Sequence, residues 1–287
     1  VGMVEGFGSL FPGGADILVS EEAGDYRPEM EWLAPQLSGD WLVVRAEDYR
    51  PRVGRDVYRF FELFDHANVA VMGELMGMVE AGELRVSPPV KPHLEEKLWA
   101  GLFWSRVLQG EWGERMRGSQ LAKLREMVPF SWVVDPAPVP RHAVLPRLGL
   151  GGFSELAGLS QRDRQLVLKV SGFSEQAWGS RGVTVGHDVS GEVWGKAVEA
   201  ALAAWPEQPY VLQEFAHSKL VEQPYWDPES GERKVMEGRA RLCPYYFVGA
   251  GDGKVRLGGV LATVVPADKK VIHGMRDAVL VPCVVAP

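Results

Sequence analysis

A chain of 287 residues, 46% hydrophobic and 10% aromatic, is long enough to bury a substantial core shared among two or three lobes. Its formal net charge of -7, from 31 Lys+Arg against 38 Asp+Glu, argues against a general nucleic-acid binder, which needs a basic excess or a basic stripe. No run reaches the roughly 18 consecutive apolar residues of a membrane-spanning helix, and VGMVEGFGSL at the N-terminus lacks a basic and hydrophobic secretion signal, so a cytoplasmic protein without membrane contact is expected.

The chain opens on Val1 rather than methionine, which leaves open a preceding segment. Glu5, in MVEGFGSLFPGG, reads as a strand end before a glycine turn. Strands are expected at 15–20, 41–46 and 69–72, alternating with helices at 28–36 and 57–64, which makes 1–90 an α/β lobe with a partly parallel sheet. The stretch HLEEKLWAGLFWSRVLQGEW (93–112) reads as one long helix with a broad apolar face flanked by Lys97.

Between 129 and 160 the texture changes. Prolines at 129, 136, 138, 140 and 146 and the run GLGG at 149–152 rule out one helix or one central strand, so 91–160 is expected to connect lobes. Beyond it, Ser190 is placed to cap a helix with the stripe Trp194, Ala197, Val198, Ala201, Leu202 and Trp205, which Pro206 stops. Strands are expected at 166–170, 210–215, 240–248, 255–265 and 278–285. Many strands around few helices give 161–287 an α+β character. The two cysteines, Cys243 and Cys283, both fall in apolar strand-like segments and are expected to be free and buried.

The segment LVLKVSGFSEQAWGSRGVTVG (166–186) raises the sharpest question, because Lys169 stands inside an apolar strand that opens into glycine, serine and arginine. A buried ammonium needs a partner. A strand-end lysine reaching out to water is the ordinary answer; the glycine-rich loop that follows favours phosphate oxygens. Then come a strand, a helix, and the strand VLQEF (211–215), an order shared by many nucleotide-binding lobes. Farther on, GRARLCPYYFV (238–248) puts Arg239 and Arg241 on one strand face, where a bidentate contact to phosphate or carboxylate competes with a salt bridge to Glu237 or Glu214.

VLK, GSRGV and VLQEF, with DVYRFFELFD (56–65), SPPVKPHLEEKLWAGLF (87–103) and VPFSWVVDP (128–136), resemble the circularly permuted branch of the ATP-grasp superfamily, the branch of glutathionylspermidine synthase and the eukaryotic glutathione synthetases. The resemblance implies an α+β ATP-grasp fold: an α/β lobe over 1–90, a helical and Pro/Gly-rich connection over 91–160, and two nucleotide-binding lobes of mainly antiparallel strands over 161–287. It implies an ATP-dependent carboxylate–amine or carboxylate–thiol ligase working through an acyl-phosphate, with ATP and Mg2+ as cofactors and small-molecule carboxylate and amine substrates. Lys97 and Lys169 would meet the phosphates, Ser180, Arg181 and Gly182 would form the loop over them, and Gln213, Glu214 and Phe215 the adenine hinge. Arg241 and Lys169 would stabilise the transferring phosphoryl group.

The metal site departs from that pattern. Relatives present a Glu-x-Asn pair, whereas the single asparagine here is Asn68, with no glutamate two residues before it. Glu5 is the candidate ligand, with Phe7 where the asparagine would be; a ligand set upstream of Val1, or a degenerate site in a nucleotide-binding or protein-interaction module, remains an alternative. A kinase-like phosphotransferase would share the ATP site. No Gly-x-x-x-x-Gly-Lys-Ser/Thr loop, His-Glu-x-x-His or Gly-x-Ser-x-Gly occurs, which disfavours a P-loop protein, a zinc enzyme and a serine hydrolase.

Overall fold

The computed structural model describes residues 2–172, 174–177, 181–274 and 277–284. In chain order the strands are β1 (Asp16–Val19), β2 (Leu42–Arg45), β3 (Val57–Phe60), β4 (Val86–Ser87), β5 (Ser131–Val134), β6 (Leu166–Val170), β7 (Val183–Val185), β8 (Tyr210–Glu214), β9 (Leu220–Asp227), β10 (Glu232–Val248), β11 (Val255–Pro266) and β12 (Val279–Pro282). The α-helices are α1 (Met3–Leu10), α2 (Arg27–Leu33), α3 (Met72–Glu80), α4 (Leu98–Trp104), α5 (Gln109–Arg115), α6 (Gly118–Met127) and α7 (Gly191–Ala203). Among the described residues the fold mixes helices with three sheets. It divides into two compact units, Val1–Val90 with Ser218–Pro287, and Lys91–His217. The 91–160 segment therefore shares a unit with the Lys169 region, while the strands from 218 onward join the N-terminal lobe.

In the first unit β2, β1, β3 and β4 run parallel in that order. β1 is buried along its whole length, as a central parallel strand must be. Ile17 and Val19 pack with Phe7, Phe11, Met30, Trp41 and Phe247, and Leu18 packs with Val57, Val69, Met72 and Leu75. At its start Asp16 is 1% exposed. Its carboxylate accepts from Tyr49 Oη at 3.0 Å, Arg52 Nη2 at 3.3 Å, and Arg55 Nε and Nη2 at 2.8 and 2.5 Å. Burial first, and then Asp16, push the Tyr49 phenol above its ordinary value. The other sheet of this unit, β12-β11-β10-β9, is antiparallel, and the turn GAGDGK at 249–254 joins β10 to β11.

Several elements differ from expectation. The 57–64 run is a strand, β3, followed by a 3-10 turn over Leu63–Asn68. Val57 and Arg59 both face inward there, and the Arg59 guanidinium is satisfied by the Phe61 carbonyl and lies 5.6 Å from the Phe61 ring. The buried arginine disguised a period-2 pattern as an acidic-to-apolar helix. The 69–72 run is the turn into α3, with Val69 and Val71 buried; four apolar residues do not separate a strand from a helix start. Glu5 is not at a strand end but in the first turn of α1, where its carboxylate accepts from the Gly2 amide at 3.3 Å.

The 93–112 stretch breaks into a 3-10 turn at Pro92–Leu94, then α4, a second 3-10 turn at Arg106–Leu108, and α5. Ser105 is extended at the break, and the Gln109 amide caps the exposed carbonyls of Phe103 and Ser105. The proline-rich 129–160 segment contains β5, at the sheet edge as proline neighbours require. Cys243 is half-buried and Cys283 exposed; both are free. Among the described residues no helix is long and apolar enough to cross a membrane.

Candidate functional site

The second unit is built on an antiparallel sheet in the order β5-β8-β6-β7. Strand alternation gives that sheet two different faces. On one, Trp132 and Val134 of β5, Leu166 and Leu168 of β6 and Leu212 of β8 pack against Trp194, Val198 and Ala201 of α7. Ser190 starts that helix, its hydroxyl accepting from the Val193 amide at 3.2 Å.

The opposite face carries the alternate residues, among them Ser131 and Val133, Val211 and Gln213, and Lys169. α4 lies close to it. A Cβ on Gly101 would stand 2.9 Å from the Val133 amide nitrogen, so only glycine allows the helix this near to β5. A cavity of about 400 Å3 results, lined by Glu96, Lys97, Trp99, Ala100, Lys169, Val211 and Gln213. That volume lies within the range of roughly 300–1,000 Å3 common to small-molecule sites.

Two lysines therefore line one cavity, Lys97 from the residue before α4 and Lys169 from β6. The partner of Lys169 is a neutral group: its Nζ donates to Gln213 Oε1 at 2.7 Å. The amide nitrogen of Gln213 donates to Ser131 Oγ at 2.9 Å, and Ser131 Oγ donates to the Pro129 carbonyl at 2.8 Å. Burial, and next the charge of Lys97, hold the Lys169 ammonium below its ordinary value of 10.5. Lys97 Nζ also donates to the Ala177 carbonyl at 2.8 Å.

A carboxylate clamp lies beside the lysines. Glu96 Oε2 accepts from Ser171 Oγ at 2.6 Å, and Ser171 Oγ accepts from the Leu98 amide at 2.9 Å, tying the start of α4 to the end of β6. Gly172 follows with a φ of +44°, and a Cβ there would lie 1.7 Å from Glu96 Oε1. Only glycine supplies both the left-handed backbone and the room. Trp99 closes another wall, its indole nitrogen donating to the His93 carbonyl at 2.5 Å and its ring 6.4 Å from that of Trp112 in an edge contact.

Of the residues singled out in the sequence, Lys97, Lys169 and Gln213 meet at this cavity. Glu214 and Phe215 continue β8 but are engaged elsewhere. The Glu214 amide donates to Phe130 O at 2.9 Å, its carboxylate pairs with Arg147 at 2.8 Å, and the Phe215 amide donates to Gln165 O at 2.9 Å. The Phe215 ring meets His187 and His217 edge-on at 4.7 and 4.9 Å. Gly182 is fixed by backbone bonds to Gln176 O and from the Val170 amide, at 2.7 and 3.0 Å; Arg181 is exposed; Ser180 lies outside the described residues.

Arg241 and Glu5 belong to the other unit. Arg241 is exposed on β10, while its neighbour on the same face, Arg239, donates to the carbonyls of Ala267 and Ser218 at 2.8 and 2.6 Å. Among the described residues no three His, Cys, Asp or Glu side chains gather to hold a metal ion. Glu5, the expected Mg2+ ligand, stands in the first turn of α1 with its carboxylate accepting from the Gly2 amide at 3.3 Å.

Sequence reading passed over Glu96, Trp99 and Ser131. Glu96 and Trp99 flank Lys97 on either side of a helix start, a position from which a turn reaches the same cavity as the first residues of the helix. Ser131 becomes visible only once β5 is known to pair with β8, which puts it opposite Gln213. No protein-family model matches the chain, and no curated protein matches it.

Proposed function

We propose that the cavity of the second unit binds the phosphates of ATP, and that the protein is an ATP-dependent carboxylate–amine or carboxylate–thiol ligase of ATP-grasp type. The observation that carries the nucleotide reading is the pair of lysines lining one cavity, with Lys169 matched to an uncharged amide. Two ammonium groups suit the oxygens of a polyphosphate, which offers several negative acceptors close together. Trp99, Ala100 and Val211 provide apolar wall against which a flat ring can lie.

The roles of the chain's own residues follow from chemistry. Lys97 and Lys169 hold and orient phosphate oxygens, and their charge offsets the negative charge on the phosphoryl group as it transfers to a carboxylate oxygen. An amine or thiol then attacks the acyl carbon of the acyl-phosphate: the C–N or C–S bond forms, the acyl C–O bond breaks, inorganic phosphate leaves and the nucleophile gives up a proton. The resemblance of the sequence motifs to ATP-grasp ligases supports the bond-forming step. A second reading, a nucleotide-binding module without ligase activity, is favoured by the lack of a gathered carboxylate set among the described residues.

Isothermal titration of ATP, with and without Mg2+, tests the nucleotide reading, using Lys169→Ala as the comparison. Micromolar binding that weakens by about tenfold or more in the variant is expected, as for a lost charge-assisted contact of about 1.4 kcal/mol or more. Equal affinity in the two proteins would end it. ADP release across a panel of carboxylates and amines then separates the ligase from the module, which binds ATP but releases no ADP with any pair.

A further inference from the structure

We infer that Gln213 is the positioning residue that keeps Lys169 an uncompensated cation, and thereby selects an anion for the cavity. This inference rests on the nucleotide reading of the same site and names the residue that sets its charge.

The orientation of the Gln213 amide is fixed from both ends. An ammonium has hydrogens to give and no lone pair to receive with, so Lys169 must face the amide oxygen. Ser131 gives its one hydroxyl hydrogen to Pro129 O and has only lone pairs left, so it must face the amide nitrogen. Gln213 thus supplies Lys169 with a strong acceptor and no negative charge.

Glutamate is the same size as glutamine and would be the ordinary partner for a half-buried lysine. It would also cancel the charge that a phosphate needs. Of the charged side chains lining the cavity, Lys97 and Lys169 are cationic and Glu96 anionic, and Glu96 is turned to Ser171 and Gly172 at the end of β6. A second carboxylate 2.7 Å from Nζ would leave the lining neutral and give Lys169 a partner that any incoming anion must displace.

Two substitutions separate this electrostatic role from simple packing. Gln213→Glu keeps the shape and adds the charge; Gln213→Met keeps the length and removes the polar contact. Titrating inorganic pyrophosphate and, separately, ATP at fixed ionic strength should show Gln213→Glu weakened by about tenfold or more and Gln213→Met weakened less. The carbon-13 resonance of Lys169 Cε, assigned by its loss in Lys169→Met, reports the ammonium without any ligand, and its titration midpoint should move up in Gln213→Glu.

Equal or greater loss in Gln213→Met, or a Lys169 midpoint unmoved by the carboxylate, overturns the inference. If the wild-type protein binds neither pyrophosphate nor ATP while the Lys169 midpoint still rises in Gln213→Glu, the nucleotide reading falls and the charge-keeping role of Gln213 stands. Pyrophosphate bound as tightly as ATP identifies phosphate oxygens as the recognised group; ATP bound much more tightly adds a contribution from the nucleoside.

Discussion

Asp16 on β1 and Lys169 on β6 are both charged side chains carried into a sheet, and their surroundings are built on opposite plans. Asp16 is ringed by two arginines and a tyrosine hydroxyl, so that nearly every lone pair of its carboxylate is used and its charge is answered within the fold. Lys169 donates to a neutral acceptor, Gln213, and has a second lysine beside it, lining an open cavity. A charge answered by the fold holds segments together; a charge left unanswered at a cavity is arranged for something that comes and goes.

The contrast can be broken most severely at Asp16. Asp16→Asn leaves Arg55, 15% exposed at its side chain, facing a neutral group, and should cost about 3–5 kcal/mol, the usual range for removing one partner of a buried pair. Urea unfolding checks it, and a loss under about 1 kcal/mol would mean that solvent already carries the network. At the other site, replacing Lys169 and Gln213 together by methionine removes both polar partners. The melting temperature should hold or rise by about 2–4 °C while pyrophosphate binding disappears. A lower melting temperature would class the Lys169–Gln213 pair with Asp16 as structural.

The smallest effect is in pH. Because the folded-state value of Lys169 lies below 10.5, the folded protein releases this proton before the unfolded chain does. Stability contributed at this site is therefore reduced at neutral pH and recovers as pH climbs through the folded value toward 10.5. Glu96 and Lys97 line the same cavity, and Lys169→Met removes both the buried ammonium and its repulsion with Lys97, so the stability difference between that variant and wild type reports the two together. It should narrow with rising pH in urea midpoints measured at neutral and alkaline pH. A difference that is flat or widens would show that Lys169 is not desolvated in solution.

What the sequence made legible follows the strength of local pattern. β6, α7, β8 and β11 fall within a residue or two of expectation because each has one unbroken period and firm punctuation, such as Ser190 before α7. β3 was hidden because its inward residues include Arg59, and α4 could not be separated from α5 because the break at Ser105 is stabilised by side-chain bonds that no period encodes, locally from Gln109 to Phe103 O and Ser105 O and at long range from Trp104 to Val128 O and Pro129 O. At the site, Lys97 and Lys169 were visible as lysines beside apolar elements. The proper place of Gln213 was not, since it depends on Ser131, a residue 82 positions away that only strand pairing brings near. Resemblance suggested Gln213 for a hinge; the geometry gives its side chain to Lys169.

Gly172 has a consequence for descent and for engineering. The space over its α-carbon is filled by the Glu96 carboxylate, which in turn takes the Ser171 hydroxyl hydrogen. A side chain at 172 fits only if residue 96 is shortened, and a shortened residue 96 deprives Ser171 of its acceptor. Positions 96, 171 and 172 therefore behave as one inherited character: they change together or not at all, and a transplanted copy of this cavity must carry all three.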